Sequence, residues 1–300
     1  MVHVARLHFL IMLDGLELRR ITYEATPASI IEIIARKESV HPIRDLQDLR
    51  TRLSGPTRRC FAFFHPSLPN EPLVFVHVAL LPRMPESMEE LESLTSSSGS
   101  RSNDVIQAAI FYSINNTQKG LSGVDLGAFL IKRVVEVLKQ EFSTLRTFAT
   151  LSPLPNFRMW FKHKVSLQCQ LHEHDGECTI SSNMTDGDSS MGLKKFALDM
   201  LSPLELASLS RALGTSATRE TLECFIRTLE TSSWYEDPVR VDAFRPILMK
   251  YAAIYLAVEK HRGRPLDGVA KFHIRNGAEM NRLNFLADKS RMVRVIHDYT

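Results

Sequence analysis

The stretch from Ala108 to Pro153 constrains the fold most, because its pattern changes from strand to helix and back to strand. Residues Ala108 to Ile114 are rich in β-forming side chains and predict a strand. A glycine-rich turn follows, and apolar residues then recur at helical spacing, at Leu126, Leu130, Val134 and Leu138. A second strand is predicted from Arg146 to Leu151 and ends at the Ser152-Pro153 step. The stretch therefore predicts a β-α-β unit.

The glycine-rich turn, with Gly120, Gly123 and Gly127, has two interpretations. The first backbone N–H groups of a helix lack partners within the helix, and glycine lets an anion approach them closely. The turn is therefore a candidate cradle for a phosphate or pyrophosphate group. An ordinary crossover with a glycine turn produces the same pattern, and on spacing alone it is the simpler interpretation.

Composition sets broad limits on function. The 300 residues are enough for one large domain or two small ones. The 37 Lys and Arg against 34 Asp and Glu give a net charge of +3, which does not favour a nucleic-acid partner. The four widely spaced cysteines indicate reduced thiols in an intracellular protein. No apolar run approaches the ~18 residues of a membrane span, and the sequence shows no targeting signal.

The chain before the β-α-β unit is predicted to be helical at first and then to form a hairpin. Residues 1–54 have the pattern of helices broken by turns. Arg59 to Phe64 and Leu73 to Leu81 predict two antiparallel strands joined by a proline-rich turn. His77 lies in the second strand and is expected to be a buried core residue rather than a catalytic one. Residues 82–103 are acidic and then serine-rich, and they predict a surface loop.

After the β-α-β unit, residues 162–192 are predicted to form a polar, irregular insertion. Its possible zinc ligands are Cys169, His172, His174 and Cys178, with a spacing that is not typical of zinc sites. A His-rich surface insertion is the simpler interpretation, so no metal site is predicted.

The last part of the chain is predicted to be helical with one final strand. Helices are expected at 202–214, at 218–231 and from Arg245-Pro246 onward. The β-forming side chains of Val269, Phe272 and Ile274 then predict a strand that carries His273 and ends at an Asn276-Gly277 turn.

Several of these stretches, taken together and in order, resemble the malonyl-CoA decarboxylase family. The stretches are VHPIRDLQDL, RRCFAFFHPSLPNEPLVFVHVAL, AAIFYSINNTQKGLSGVDLGAFLIKRVVEVL, LSPLPNF, EKHRGRPLDGVAKFHIRNGA and NRLNFLAD. They cover most of residues 20–160 and 240–288, which makes the resemblance far more specific than a glycine turn alone.

The resemblance implies an α+β fold in which a GNAT-like mixed central sheet is flanked by helices. It implies that residues 1–54 are a remnant of an N-terminal helical domain and that residues 55–300 form the catalytic domain. The segment expected to bind CoA consists of Ser122, Gly123, Val124, Asp125, Leu126, Gly127 and Ala128. Ser122 and Asp125 replace the Gln or Arg and the first Gly of the usual GNAT pattern. We expect the carboxylate of Asp125 to point away from the phosphates, because it would repel them.

The resemblance also implies that Ser152 and His273 are the catalytic pair. Loss of CO2 from malonyl-CoA leaves an enolate of the acetyl thioester, which must be stabilised and then protonated on carbon. A histidine that titrates near neutral pH suits the proton donor, and the serine suits a relay. Neither a metal nor an organic cofactor is required, because the thioester delocalises the charge. From their spacing alone, the simpler interpretations are that Ser152 is a turn residue and His273 a structural hydrogen-bonding group.

The predicted activity is decarboxylation of malonyl-CoA to acetyl-CoA and CO2, with a role in fatty acid metabolism. A CoA-dependent acyltransferase of the same fold and an inactive CoA-binding protein are the alternatives. The family implies a homo-oligomer and a mitochondrial, peroxisomal or cytoplasmic location. It also implies a strand bearing a tyrosine after Asp288, whereas this chain ends at Thr300, so Tyr299 is not equated with that tyrosine.

Overall fold

A computed structural model describes residues 15–95, 105–118, 120, 125–174, 201–231, 233–289 and 295–299. The chain divides into two compact units. The first contains residues up to Pro153 together with Phe272–Asp288 and the final strand, and the second contains most of residues 154–271.

The first unit is built on one mixed sheet, in which the described residues provide seven strands in the order β1-β2-β3-β4-β5-β9-β8. Every neighbouring pair is antiparallel except β4 and β5, which are parallel. The predicted hairpin corresponds to β2 and β3, and the predicted β-α-β unit contains β4 and β5. The strands of this sheet are β1 (Glu17–Ile21), β2 (Arg58–Phe64), β3 (Val74–Leu81), β4 (Ala108–Asn116), β5 (Thr147–Pro153), β8 (Met280–Phe285) and β9 (Val295–Tyr299).

The parallel pair β4 and β5 is held together over only part of its length. The two strands pair from Ala108 and Thr147 to Phe111 and Thr150. Both strands extend past this stretch, and the end of β5 pairs instead with β9. A register shift between β3 and β4 lies at the same level, next to His77. The sheet is therefore interrupted between β4 and β5 at the level of Ser152.

Helices cover both faces of this sheet. On one face lie α1 (Ala28–Lys37) and α2 (Leu46–Leu53), whose apolar side chains pack on alternate residues of β2. On the other face lies α4 (Leu126–Glu141), whose predicted stripe of leucines and valine is buried against β2, β3 and β4. The predicted fold class, an α+β fold with a mixed central sheet flanked by helices, is confirmed.

The prediction that residues 1–54 are helical is wrong in part, because they also contain a strand. Glu17–Ile21 forms β1, which pairs antiparallel with β2 along its whole length. The first four residues of β1 are exposed or half-buried, and Ile21 is buried in the core formed with α1 and α2. The predicted domain boundary at residue 54 stays a prediction, but this strand is part of the central sheet.

Two further elements of the first unit differ from the sequence prediction. Residues Met88–Thr95, expected within a loop, form the short helix α3. The chain from Val295 to Tyr299 forms β9, which lies between β5 and β8, so the sheet contains a strand in this region. The side chain of Tyr299 lies outside the described residues.

The second unit is helical. The predicted helices near 202–214 and 218–231 are present, but the next helix begins at Pro238 rather than near Arg245, and it includes Pro246. Asp237 caps its first turn by accepting a hydrogen bond from the backbone of Val239, which fixes the earlier start. The helices are α5 (Phe157–His174), α6 (Pro203–Leu213), α7 (Thr218–Glu230) and α8 (Pro238–Ala257), and a short hairpin of β6 (Lys260–His261) and β7 (Arg264–Pro265) follows.

The predicted insertion is helical in its first part. Residues 162–174 continue α5, so the prediction of an irregular segment is wrong there, and residues 175–192 lie outside the described residues. The backbone of Cys169, His172 and His174 belongs to α5, while their side chains and Cys178 also lie outside them. Within the part of the chain that the structure describes, no group of three or more His, Cys, Asp or Glu side chains could hold a metal ion.

His273 belongs to a helix and not to the predicted strand. The helix α9 runs from Gly268 to Arg275. The carboxylate of Asp267 accepts hydrogen bonds from the backbone N–H groups of Val269 and Ala270, which caps the first turn. Gly277, two residues after the end of the helix, adopts a left-handed conformation with φ of 86°. These capping residues outweigh the β-forming side chains between them.

Candidate active site

Ser152 lies near the end of β5, where that strand is no longer paired with β4. The backbone of Ser152, like that of Pro153 after it, is paired with β9. The serine is 6 % exposed, although it is a polar residue. A buried hydroxyl in such a position requires a hydrogen-bond partner, because burying it without one is costly.

That partner is His273, the residue that the resemblance pairs with Ser152. The distance between Ser152 Oγ and His273 Nε2 is 3.0 Å, and the two residues are 121 positions apart in the chain. The imidazole is 5 % exposed. A hydroxyl and an imidazole at this distance can pass a proton between them, so the arrangement is suited to acid–base chemistry.

Burial changes the protonation of the histidine. Removal from water lowers the pKa of His273 to about 4, from an ordinary value of 6.5. The imidazole is therefore neutral at pH 7 in this structure. The expectation that His273 titrates near neutral pH is wrong for the unliganded site, and any proton that it delivers must first be favoured by an added negative charge.

A cavity of about 130 Å³ lies beside this pair. Most of its wall is apolar and comes from β4, β5, α4 and the end of α9. Lys132 and Asn276 add polar groups, and the hydroxyl of Thr150 lies close to that of Ser152. Its lining residues are Phe111, Ala128, Ile131, Lys132, Phe148, Ala149, Thr150, Phe272, His273, Asn276 and Ala278. The mostly apolar lining suits an apolar part of a ligand.

The N-terminus of α4 contains the described part of the expected CoA-binding segment. Ser122, Gly123 and Val124 lie outside the described residues, and Leu126, Gly127 and Ala128 are buried in the first turn. A Cβ atom at Gly127 would lie 3.4 Å from Ile114 Cγ2 and 3.6 Å from Phe272 Cζ. The helix backbone therefore sits close to both β4 and α9.

Asp125 precedes α4 and makes no side-chain capping hydrogen bond there. Its carboxylate instead forms an ion pair with the guanidinium of Arg275, at the end of α9. The sequence predicts that this carboxylate points away from an anion at the helix terminus, and the ion pair gives it a different partner. Arg275, two residues after His273, was not singled out in the sequence.

A buried polar network on the opposite face of β4 was also not predicted. The Glu38 carboxylate accepts hydrogen bonds from the backbone N–H groups of Val40 and His41, at 2.9 and 3.0 Å. It also accepts hydrogen bonds from Ser113 Oγ at 2.6 Å and from Asn115 Nδ2 at 3.0 Å. The glutamate thus joins the segment after α1 to the end of β4 that lies past its pairing with β5.

Charge and burial oppose each other in this network. Burial raises the pKa of Glu38, but the nearby His77 and the hydrogen bonds from Ser113, His41 and Asn115 together outweigh it and hold the pKa below its ordinary value. His77 is fully buried 3.5 Å from the carboxylate, and burial lowers its pKa. The structure thus places His77 in the core, as predicted, and not beside Ser152.

These features define a class: an α+β protein with a mixed central sheet flanked by helices and a buried Ser–His pair beside a mostly apolar cavity. The model of the malonyl-CoA decarboxylase C-terminal domain matches residues 15–297. The chain therefore belongs to the malonyl-CoA decarboxylase family. It is 36% identical over 280 residues to the mitochondrial malonyl-CoA decarboxylase of Mus musculus. The match covers 92% of this chain and 50% of that relative.

Solved structures agree with this assignment. The malonyl-CoA decarboxylase from Agrobacterium vitis is 35% identical with a TM-score of 0.73, and the match covers 99% of this chain and 63% of that one. The enzyme from Rhodopseudomonas palustris is 37% identical with a TM-score of 0.68, over 99% of this chain and 62% of that one. The chain spans about half the length of the curated relatives it matches. Among the described helices, none has both the length and the apolar character needed to cross a membrane.

Proposed function

We propose that this chain decarboxylates malonyl-CoA to acetyl-CoA and CO2. The observation that carries the proposal is the hydrogen bond of 3.0 Å between buried Ser152 and His273, in a chain of the malonyl-CoA decarboxylase family. The pair lies beside a cavity that suits an acyl-pantetheine arm, and the helix expected to receive the CoA pyrophosphate forms part of the same wall.

In the binding step, the segment 122–128 binds the pyrophosphate, and the backbone N–H groups in the first turn of α4 point toward it. The pantetheine arm then passes along the apolar cavity and brings the malonyl group to Ser152. Arg275 neutralises Asp125 at this helix terminus, so that the carboxylate does not repel the phosphates.

In the chemical step, the bond between the carboxylate carbon and the α-carbon breaks. CO2 leaves, and the electron pair forms the enolate of the thioester. Before this step, the negative substrate carboxylate favours the protonated form of His273. After CO2 leaves, that charge is gone from the carboxylate position, and the imidazolium of His273 gives its proton through Ser152 to the α-carbon. The low pKa of buried His273 favours this release.

A turnover assay with malonyl-CoA tests the proposal. We expect acetyl-CoA and CO2 from the chain, and at least a hundredfold slower release from Ser152→Ala and His273→Asn, as is typical for loss of an acid–base group. The matched controls Ser216→Ala and His261→Asn change exposed residues and should keep full activity. Full activity in Ser152→Ala and His273→Asn would contradict the assignment.

The same assay separates the other functions that the sequence left open. Release of acetyl-CoA in the absence of an amine indicates decarboxylation, whereas acylation of an added amine would indicate an acyltransferase. Binding of malonyl-CoA to folded protein without product would indicate an inactive CoA-binding protein.

The names of the curated relatives support a mitochondrial location for this protein. Fractionation of cells that express the native protein tests this, and recovery in peroxisomes or cytosol would contradict it. The homo-oligomer implied by the family stays a prediction, which light scattering of the purified chain can test.

A further inference from the structure

Thr150 is a polar residue at the active site to which neither the sequence nor the family match gives a role. It precedes Ser152 by two positions on β5, so the two side chains lie on the same face of the strand. Thr150 is 7 % exposed and lines the cavity together with His273. Its hydroxyl is 3.5 Å from the Ser152 hydroxyl.

The three groups form a row in which Ser152 stands in the middle. Its hydroxyl has one proton, so it can donate to Thr150 or to His273, but not to both at once. If Ser152 donates to Thr150, its oxygen is free to accept a hydrogen bond from the Nε2–H of His273. If Thr150 donates to Ser152, the serine proton points to an unprotonated Nε2. The hydroxyl of Thr150 therefore influences in which direction the hydrogen bonds between these three side chains run.

Only the first direction turns the Nε2–H of His273 toward the oxygen of Ser152. When the substrate is bound, the serine O–H turns from Thr150 to the α-carbon, and the proton of Nε2 replaces the one that the serine gives up. The two hydroxyl oxygens of Thr150 and Ser152 are 3.5 Å apart. An ordinary hydrogen bond between hydroxyl groups is shorter, at about 2.7 to 2.8 Å. Distances of this kind in unliganded sites often shorten when the substrate fills the site. A threonine in the wall of an apolar cavity also needs a partner for its hydroxyl, and Ser152 is within reach.

We propose that Thr150 is a positioning residue for the decarboxylation. Its hydroxyl accepts a hydrogen bond from Ser152 and thereby keeps the oxygen of Ser152 directed at a protonated Nε2 of His273. This inference rests on the proposed function for its kinetic consequence, but its effect on His273 can be measured without turnover.

The kinetic test compares three variants with the unchanged chain. Thr150→Val keeps the shape but removes the hydroxyl, and we expect kcat to fall about tenfold with KM within about twofold, as for loss of one hydrogen bond. Thr150→Ser keeps the hydroxyl and should restore kcat to within about threefold of the unchanged chain. Thr147→Val, on the same strand but outside the cavity wall, should leave kcat unchanged.

The second readout is the ¹⁵N NMR spectrum of the His273 ring in the unliganded protein. We expect the proton mainly on Nε2 in the unchanged chain and in Thr150→Ser, and a shift toward Nδ1 in Thr150→Val. If Thr150→Val does not fold, Thr150→Ala and Thr150→Ser provide the same comparison.

The outcomes separate this inference from the proposed function. An unchanged kcat and tautomer in Thr150→Val would overturn the positioning role, as would an equal loss in Thr150→Ser, which would point to methyl packing. An unchanged chain that releases no acetyl-CoA would refute the decarboxylase function, while the tautomer shift would still support the role of Thr150.

Discussion

The low pKa of His273 leads to a measurable link between pH and stability. In the unfolded chain an imidazole binds a proton near pH 6.5, whereas His273 in the folded chain binds one only near pH 4. Between these values the unfolded state holds more protons, so acid favours unfolding. The stabilising effect of neutral His273 is therefore fully present above about pH 6.5 and is lost as the pH falls toward about 4.

The size of this effect follows from the difference in pKa. A difference of about 2.5 pH units corresponds to about 3 kcal/mol of unfolding free energy over the whole range. Between pH 7 and pH 5 the loss due to His273 alone is about 2 kcal/mol. At pH 7 about one His273 side chain in a thousand is protonated in the unliganded protein.

Two measurements test this reasoning. Urea unfolding at several pH values should show a loss of stability between pH 7 and pH 5 that is about 2 kcal/mol smaller in His273→Asn than in the unchanged chain. NMR titration of the His273 ring, assigned by comparison with the same variant, should give a midpoint near 4. A midpoint near 6.5, or equal pH dependence of unfolding in the two proteins, would refute the argument.

Three further predictions concern the rest of the first unit. Glu38→Gln should lower the unfolding free energy measured in urea by about 3 kcal/mol, because an amide cannot accept four hydrogen bonds. The control Glu32→Gln changes an exposed residue and should alter this free energy by less than about 0.5 kcal/mol, so equal effects would contradict the network. Gly127→Ala should fold with a change under about 1 kcal/mol, because its Cβ would meet Ile114 and Phe272 at contact distance. It should raise KM for malonyl-CoA, because the added methyl group pushes against Phe272 in the cavity wall; an unchanged KM would argue against binding in this cavity. Burial raises the pKa of the Cys60 thiol, so iodoacetamide should modify Cys60 in the folded protein far more slowly than half-buried Cys224. Peptide mapping measures both rates, and equal rates would contradict the burial of Cys60.

The strands and helices with strong local patterns could be predicted from the sequence. The stripe of α4 and the apolar runs of β2 and β3 repeat at the periods of their structures, so their packing follows directly. The helix α9 was predicted as a strand because Val269, Phe272 and Ile274 favour β structure, while its ends are set by Asp267 and Gly277. Local propensity is a weak guide in an element of eight residues.

The candidate active site could be predicted only by resemblance, because it depends on contacts between distant parts of the chain. Ser152 and His273 meet across 121 positions, and no spacing rule connects them. The hydrogen bond between Glu38 and Ser113 likewise spans 75 positions. The one local signal that was overlooked is Thr150, since a hydroxyl two residues before Ser152 in a strand must lie on the same face.

The ion pair between Asp125 and Arg275 explains how an acidic residue can precede the helix expected to bind CoA. A carboxylate at that helix terminus interacts favourably with the helix dipole but repels a phosphate. Arg275 cancels this charge, and it stands two residues after His273 on α9. Since α9 thus supplies both the counter-charge at α4 and the imidazole at Ser152, a change in the position of this one helix would disturb both parts of the proposed reaction, the binding of the CoA pyrophosphate and the delivery of the proton.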